Sequence, residues 1–472
     1  MVHIPRTIFR EYDIRGIAGR DLSADFAHLL GLTYAKYIAQ RTPVAGRSRL
    51  TVAVGRDCRL TGESYTGALI EGLTQGGLDV VRLGVCPTPL TYFSVFHLDL
   101  DGGIMVTGSH NPADYNGFKI CVGRDTIHGA QIQDLRAIME NGPAPAAAAG
   151  AVSDYEIIPA YQEHLLKNAR GILPKKIVLD AGNGTASTVA PDLFRRLGAE
   201  VIPLFCELDG RFPNHHPDPT VPENLKDLVA CVLREKADFG VAFDGDSDRI
   251  GLVDDAGKIL FGDELMVILS RDILKSLPGA TIISEVKSSH RLYQDIADKG
   301  GNPIMWKTGH SLIKSKMKET KAALAGEMSG HIFFSDRYFG FDDAIYAALR
   351  IYEIASQFKG PVSSMISDLP PSFSTPEIRV DCEEELKFKL VEETKRRLAP
   401  GHKINDIDGV RVDFGDGWGL VRASNTQPVL VLRFEAPSQH RLDEIRQIVE
   451  SALTAAAELI GHPPIRPSSA HG

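Results

Sequence analysis

The sequence predicts an α/β protein: three related α/β domains with mixed sheets, followed by a C-terminal α+β domain. Three observations carry this. A chain of 472 residues has room for three or four domains of ordinary size. An order of strand, helix, strand and polar loop recurs three times before residue 369, and beyond it the pattern changes. Apolar residues at 43% and charged residues at 24% fall in the globular range, which excludes a disordered, collagen-like or membrane-spanning chain.

The repeat is one of pattern. Its first strands read Leu50-Thr-Val-Ala-Val-Gly-Arg-Asp57, Ile177-Val-Leu-Asp-Ala-Gly-Asn-Gly184 and Thr281-Ile-Ile-Ser-Glu-Val-Lys-Ser288, each with a helix-like stretch downstream. A second strand follows a glycine in each, at Gly77, Gly198 and Gly301. The third strand runs from Gly103 into TGSHNP, from Gly240 into DGDSDR and from Leu324 into GEMSGH. This is the grammar of α/β units, whose binding loops gather at strand ends. Breakers set the borders. The tract Asn141-GPAPAAAAGA reads as an unanchored surface connection, Asp254-DAGK as the passage into the third unit and Leu369-PPSFSTP as its exit. The domains expected are 1–150, 151–256, 257–369 and 370–472. In the last, strands at Glu377, Gly409, Gly419 and Pro428 surround a charged helix through Arg397. A final helix there buries Leu442, Ile445, Ile448, Val449, Ala452, Leu453 and Ala456, and Gly461-HPPIRPSSAHG is read as a loose tail.

Charge narrows the partners. With 52 basic against 61 acidic residues and a net charge of -9, no general attraction to nucleic acid or anionic lipid is built in. Six cysteines without a CxxC pair fit reduced thiols. The opening Met1 to Gly16 lacks the apolar core of a signal peptide, and no apolar run is long enough to span a membrane. The expectation is a soluble cytoplasmic protein with neither nucleic-acid nor membrane partners.

Four loops can carry chemistry. Ser109, set on a turn between glycine, proline and asparagine, becomes a nucleophile only with help, and His110 and Lys119 are near in sequence. Taken alone, an ordinary Ser/Asn turn is the simpler reading. Asp244, Asp246 and Asp248, at i, i+2 and i+4 of an extended segment, would project from one side and converge. Three such charges need a cation, and oxygen-only ligation favours Mg²⁺ or Mn²⁺. Arg249 stands where an EF-hand loop needs glycine, so calcium is not expected. In the third loop Glu327 and Ser329 suit vicinal sugar hydroxyls and His331 a proton transfer. In the fourth, Arg422, Ser424, Asn425 and Thr426 complement a phosphate. No Walker A or dinucleotide fingerprint is present.

Taken in this order, TGSHNP, DGDSDR, GEMSGH and RASNT resemble the α-D-phosphohexomutase superfamily nearly along the whole chain. FREYDIRG, FPNHHPDP and KTGHSLIK resemble its bacterial phosphomannomutase/phosphoglucomutase branch. The resemblance implies four domains around a central cleft, each giving one loop. It implies that Ser109 is a phosphoserine and, with Asp244, Asp246 and Asp248, holds one Mg²⁺. By it, Glu327, Ser329 and His331 face the sugar, Tyr12, Arg15, Lys119, Arg249, Lys287 and His310 line the cleft, and Arg422, Ser424, Asn425 and Thr426 grip the non-reacting phosphate. Two positions depart from the family pattern. Ser247 replaces a glycine or alanine and adds strain if the backbone there is left-handed, and His290 stands where a threonine is common.

The function so implied is reversible phosphoryl transfer between O1 and O6 of mannose and glucose phosphates, through the phosphoserine and a hexose 1,6-bisphosphate that also serves as activator. Proton transfer falls to His110, Lys119, Arg15 or His331, and a monomer is expected. The rivals are phosphoglucosamine mutase, a metal-dependent sugar phosphatase and a non-catalytic binding protein. The last has no use for both a serine nucleophile and an acidic triad.

Overall fold

The first three units share one sheet plan. Strand order is Asp79–Val85, Thr51–Arg56, Gly102–Val106, Tyr115–Val122 in the first; Glu200–Leu204, Lys176–Asp180, Phe239–Phe243, Ile250–Asp254 in the second; and Asn302–Trp306, Thr281–Glu285, Leu324–Gly326, Ile332–Phe334 in the third. In each the first three strands are parallel and the fourth returns antiparallel. The third strands Gly102–Val106 and Phe239–Phe243 are buried along their whole length, which is why they read as continuous apolar runs. The first three predicted loops therefore each leave the carboxyl end of a buried parallel strand, while the fourth follows the antiparallel strand Trp418–Ala423. This computed structural model describes residues 2–44, 48–425 and 427–461. Thr426 and the predicted tail beyond Gly461 lie outside them. Among the described residues no helix is long and apolar enough to cross a membrane.

Additions to this plan position the site and its borders. The strand Ile14–Ile17 pairs antiparallel with Tyr115–Val122, placing Arg15 opposite Gly117. Contrary to expectation, the alanine-rich tract after Asn141 is pinned. Ala146 and Gly150 donate to the Gln75 and Thr74 carbonyls, and Val152–Asp154 then extends the first sheet. The Asp254–Lys258 segment is a hairpin turn within the second sheet, whose last strand is Ile259–Leu260.

The fourth unit is an antiparallel sheet with strand order Phe373–Ser374, Val429–Ala436, Trp418–Ala423, Val410–Asp413 and Lys403–Asn405. Ile378–Asp381 also pairs with Val429–Ala436. Helices Lys387–Leu398 and Gln439–Leu459 join the sheet in one core. In the second helix the expected apolar face is buried at Leu442, Ile445, Val449, Leu453 and Ala456. Ile448 is 40% exposed, because it lies at the edge of the stripe rather than on it.

The cores divide the molecule unequally. One large apolar cluster runs from part of the first unit through the second and third, beside a second cluster confined to the first, whereas the fourth takes no part in the shared cluster and has only its own. The fourth meets the third through a small patch of Val286, Trp418 and Leu420 and through polar contacts. Arg411, stacked 3.7 Å over Trp418, donates to the Ser288 carbonyl, Lys287 Nζ to Glu377 at 3.0 Å and Ser289 Oγ to Glu435 at 2.9 Å.

Candidate functional site

The loops from the first and second units interlock. Ser109 is 1% exposed and left-handed, with φ 49°, and its hydroxyl donates to Asp244 Oδ2 at 2.8 Å while lying 3.2 Å from His110 Nδ1. The loop rests on Arg59, a buried guanidinium that donates to the carbonyls of Ser109 (2.8 Å), Asn111 (2.5 Å) and Tyr115 (2.9 Å) and to Asp57. Asp57 in turn accepts from Thr107 Oγ1 at 2.7 Å and the Gly108 amide at 3.1 Å. Gly108 must be glycine, since a Cβ there would fall 2.5 Å from the Arg59 guanidinium carbon. Gly245 must be as well, with a Cβ 2.6 Å from the Ser109 carbonyl.

The three aspartates do converge, but not by an extended segment. Residues 244–248 form a turn, closed by the Ser247 amide on the Asp244 carbonyl, with the amides of Asp248 and Arg249 on Asp244 Oδ1 at 3.0 and 3.1 Å. Three units pin it. Thr88 N donates to the Asp246 carbonyl, Thr185 N to that of Gly245 and Ala344 N to that of Ser247. Ser247 has φ 65°, so serine here carries the left-handed strain that glycine would avoid, offset by a hydroxyl contact of 3.0 Å to Thr185.

The donor set fits a hard divalent cation. One carboxylate oxygen from each of the three lies within 4.8 Å of the others, and all three residues are buried. Asp246 Oδ2 takes Thr88 Oγ1 (2.5 Å), Thr107 Oγ1 (3.1 Å) and Lys119 Nζ (2.7 Å). Asp246 Oδ1 and Asp248 Oδ1 have no hydrogen-bond partner among the described residues. Oxygen-only ligation by buried, half-satisfied carboxylates suits Mg²⁺ rather than a soft metal. Burial and the two other carboxylates push Asp244 well above the usual carboxylate range. Asp246 is held low because Lys119 and its hydrogen bonds outweigh burial.

Lys119 is thus placed differently from the sequence reading. Its Nζ is bound between Asp246 and Asp248, with no bond to Ser109, and those carboxylates outweigh burial and keep it cationic. Beside Ser109 stands His110 instead, which burial and then the neighbouring Arg249 and Arg15 hold well below the ordinary imidazole range. That environment favours its neutral form. His331 is the opposite case. Burial opposes its charge, but Asp248 Oδ1 at 3.4 Å from Nε2 and Glu327 Oε2 at 3.1 Å from Nδ1 raise it to about 9. Ser329 Oγ lies 3.1 Å from the same Nδ1.

Of the remaining predicted residues, Tyr12, Glu327 and, through Asp408, Arg422 meet at Thr308 and Gly309. Tyr12 OH donates to the Thr308 carbonyl at 3.0 Å and accepts from Asn425 at 3.3 Å, joining the first, third and fourth units. Glu327 Oε1 accepts the Gly309 amide at 2.7 Å. His310 lies with its ring 5.3 Å from that of Tyr12 and 5.4 Å from that of His331. Arg15 donates to Asn111 at 2.5 Å and to Asp13. Arg249 borders His331, and Lys287 Nζ is also 3.5 Å from Glu285. Arg422 donates to Asp408 at 3.1 Å, and Asp408 also takes the Thr308 amide at 3.0 Å. Ser424 Oγ accepts the Gln427 amide at 3.2 Å.

Several supporting residues escaped the sequence reading: Asp57, Arg59, Thr88, Thr107, Glu285, Asp408 and Lys387. Lys387 is 1% exposed and donates to the Ser424 and Gln427 carbonyls beneath the fourth loop. A signal existed for two of them. Asp57 and Glu285 end the first strand of their repeats, and each holds its unit's polar loop, Glu285 through the Met328 amide at 2.9 Å.

All four units have counterparts among known proteins. The chain matches phosphoglucomutase/phosphomannomutase alpha/beta/alpha domain I over residues 6–145, domain II over 159–257, domain III over 261–373 and the C-terminal domain over 377–452. It is 48% identical over 453 residues, 96% of each chain, to the phosphomannomutase/phosphoglucomutase of Pseudomonas aeruginosa. To the phosphoglucomutase of Neisseria gonorrhoeae it is 44% identical over 464 residues, 98% of this chain and 99% of the other. The crystal structure of a phosphoglucomutase/phosphomannomutase family protein from Burkholderia thailandensis superposes with a TM-score of 0.90 at 42% identity, over 96% of this chain and 98% of the other.

Two outcomes follow for the acidic loop. Ser247→Gly exchanges about 1–2 kcal/mol of left-handed strain for about 1 kcal/mol of hydrogen bonding, so its urea-unfolding stability should stay within about 1 kcal/mol of the parent. Asp246→Ala should cost activity about 100-fold or more in excess Mg²⁺, yet lower stability by no more than about 2 kcal/mol, since relieved repulsion offsets lost hydrogen bonds. Full turnover after exhaustive chelation would refute the assignment of the triad.

Proposed function

The chain belongs to the phosphoglucomutase/phosphomannomutase family of α-D-phosphohexomutases, and from that premise we propose that it moves a phosphoryl group reversibly between O1 and O6 of mannose and glucose phosphates. The observation that carries this reading is the hydroxyl of Ser109, buried, donating to Asp244 of a neighbouring unit inside an all-oxygen triad. Phosphorylated Ser109 gives its phosphoryl group to the free hydroxyl of a hexose monophosphate, forming the 1,6-bisphosphate. The Ser109–phosphate bond breaks as the sugar–phosphate bond forms, the sugar hydroxyl's proton leaves to a base of the cleft, and the freed Ser109 oxygen takes up a proton in turn. After the bisphosphate turns over, Ser109 attacks the other phosphate and the monophosphate isomer departs.

The residues divide this work by charge. His110, held neutral and with Nδ1 3.2 Å from Ser109 Oγ, takes the serine proton when the hydroxyl turns from Asp244 to attack. Lys119, Arg15 and Arg249 surround the transferring group with positive charge. His331, cationic below about pH 9, donates to the oxygen that becomes a sugar hydroxyl. Glu327 and Ser329 bind ring hydroxyls, while Arg422, Ser424, Asn425 and Thr426 hold the phosphate that is not reacting. Tyr12, Lys287 and His310 line the path between. Asp244, Asp246 and Asp248, with Ser109, would hold one Mg²⁺, which supplies charge neutralisation at the phosphoryl group. The reading includes a hexose 1,6-bisphosphate as activator and a monomeric, cytoplasmic enzyme.

Peptide mapping after treatment with glucose 1,6-bisphosphate should place phosphate on Ser109. Mannose and glucose phosphates should be used within about tenfold of each other, because the C2 configuration is read weakly. Unmodified Ser109 in fully active protein, release of inorganic phosphate faster than isomerisation, or a several-hundredfold preference for glucosamine phosphate would overturn the reading. Arg422→Ala should raise KM about tenfold or more for 1-phosphates and 6-phosphates alike, with a smaller loss in kcat, because one clamp serves both orientations. Unchanged KM for both would show that the phosphate is held elsewhere.

A further inference from the structure

A cavity of about 300 Å³ between the first and third units takes no part in this cycle. Its lining is of two kinds. Tyr92 and Phe96 of helix Thr88–His97 and Phe339 and Phe341 of the third unit supply aromatic surface, with Phe96 and Phe339 rings 4.7 Å apart and Phe339 stacked on Phe341. Lys314, Lys318 and Arg124 supply cations, each held by a carboxylate that an anionic ligand would have to compete with: Asp342 for Lys314, Asp125 for Lys318 and Asp99 for Arg124. The two kinds interleave, since Lys314 Nζ lies 4.9 Å over Tyr92 and Arg124 5.0 Å over Phe96. A volume at the small end of ligand pockets, walled by rings and cations together, suits a compact molecule with both an aromatic ring and an anionic group.

We propose that this cavity binds a small aromatic anion and that its occupancy is felt at His310. The link is one helix and one carboxylate. Ser311, Lys314, Ser315 and Lys318, at i, i+3, i+4 and i+7 of helix His310–Thr320, line the cavity, and His310 at the same helix's first residue lies in the cleft. Lys314 Nζ donates to Asp342 Oδ1 at 3.0 Å. Asp342 Oδ2, buried and without a hydrogen-bond partner among the described residues, lies 3.7 Å from His310 Nδ1. An anion that draws Lys314 away leaves Asp342 to the imidazoles of the cleft, His310 at 3.7 Å and His331 within 4.8 Å. This coupling rests on the role given to His310 above; the binding site itself does not.

The test titrates the full-length protein with naphthalene-1-sulfonate, and with methanesulfonate as control, by calorimetry with and without saturating glucose 1,6-bisphosphate. The variants are Ser315→Trp, which fills the mouth from an exposed position, and Lys318→Glu. The aromatic sulfonate should bind saturably at one site, persist beside the bisphosphate and weaken about tenfold or more in both variants. Both variants should keep mutase turnover within about twofold, and the probe should change the parent's kcat by about twofold or more. Displacement by the bisphosphate, undiminished binding in Ser315→Trp, equal binding of methanesulfonate or no saturation would overturn the site. An unaltered kcat with binding intact would overturn the coupling. Absence of mutase activity would count against the proposed function and leave the binding result standing.

Discussion

The centre of this protein is governed by the burial of three carboxylates within a few ångströms of one another. Asp244, Asp246 and Asp248 are at most 1% exposed, with one oxygen of each inside a 4.8 Å limit. At an effective dielectric of about 20, each pair at that separation repels by roughly 3 kcal/mol. The loop that carries them offers two backbone amides to Asp244 and nothing to Asp246. The first unit supplies what is missing: Lys119 from strand Tyr115–Val122, Thr88 from a helix N-terminus and Thr107 from the nucleophile's own loop. Separating the two units would leave buried charge without its partner, the costliest outcome available to a protein interior. Nucleophile and acidic triad therefore belong to one body.

The rest of the architecture follows that division. The first, second and third units share an apolar core, so the loops of Ser109, of the triad and of Glu327 are fixed relative to one another. The fourth unit has a closed core of its own and touches the others through a small apolar patch and a few polar bonds. Such an interface gives way at lower energy than a shared core. A cycle in which the same sugar must bind in two opposite orientations needs one part of the cleft to release it while the reacting groups stay in register. The fourth unit, whose loop the proposed function makes the phosphate clamp, is the part free to do so.

The sequence showed the repeat because fully buried parallel strands must be apolar throughout and must end abruptly where polar loops begin. It pointed to Ser109, the three aspartates and Glu327 as candidates because they sit in those loops, and to Arg422 because it stands near the end of a strand before a polar turn. It hid the turn at the acidic loop, since period-2 spacing is equally compatible with a tight turn once Ser247 is left-handed. It could not say that Lys119 pairs with Asp246 and Asp248 rather than with Ser109, because proximity along the chain does not fix a side chain's partner. Arg59 and Lys387 were invisible for a different reason. Each is a buried cation whose partners are mostly backbone carbonyls, and a carbonyl leaves no mark on the sequence.

The two left-handed serines explain how the nucleophile and triad keep their distance to within a hydrogen bond. Ser109 and Ser247 each adopt a conformation that costs a non-glycine residue about 1–2 kcal/mol, and neither would persist in an isolated loop. Both loops are over-determined from outside. Arg59 and Asp57 hold one from beneath, while Thr88, Thr185 and Ala344 hold the carbonyls of the other. Between them Gly245 lies so close to the Ser109 carbonyl that no side chain would fit. Contact of backbone on backbone has fewer soft torsions than contact through side chains, so it transmits position rather than absorbing it. The bond from Ser109 to Asp244 is then set by the packing of two main chains across a domain border. Strain at these two serines is the consequence of bringing those chains together.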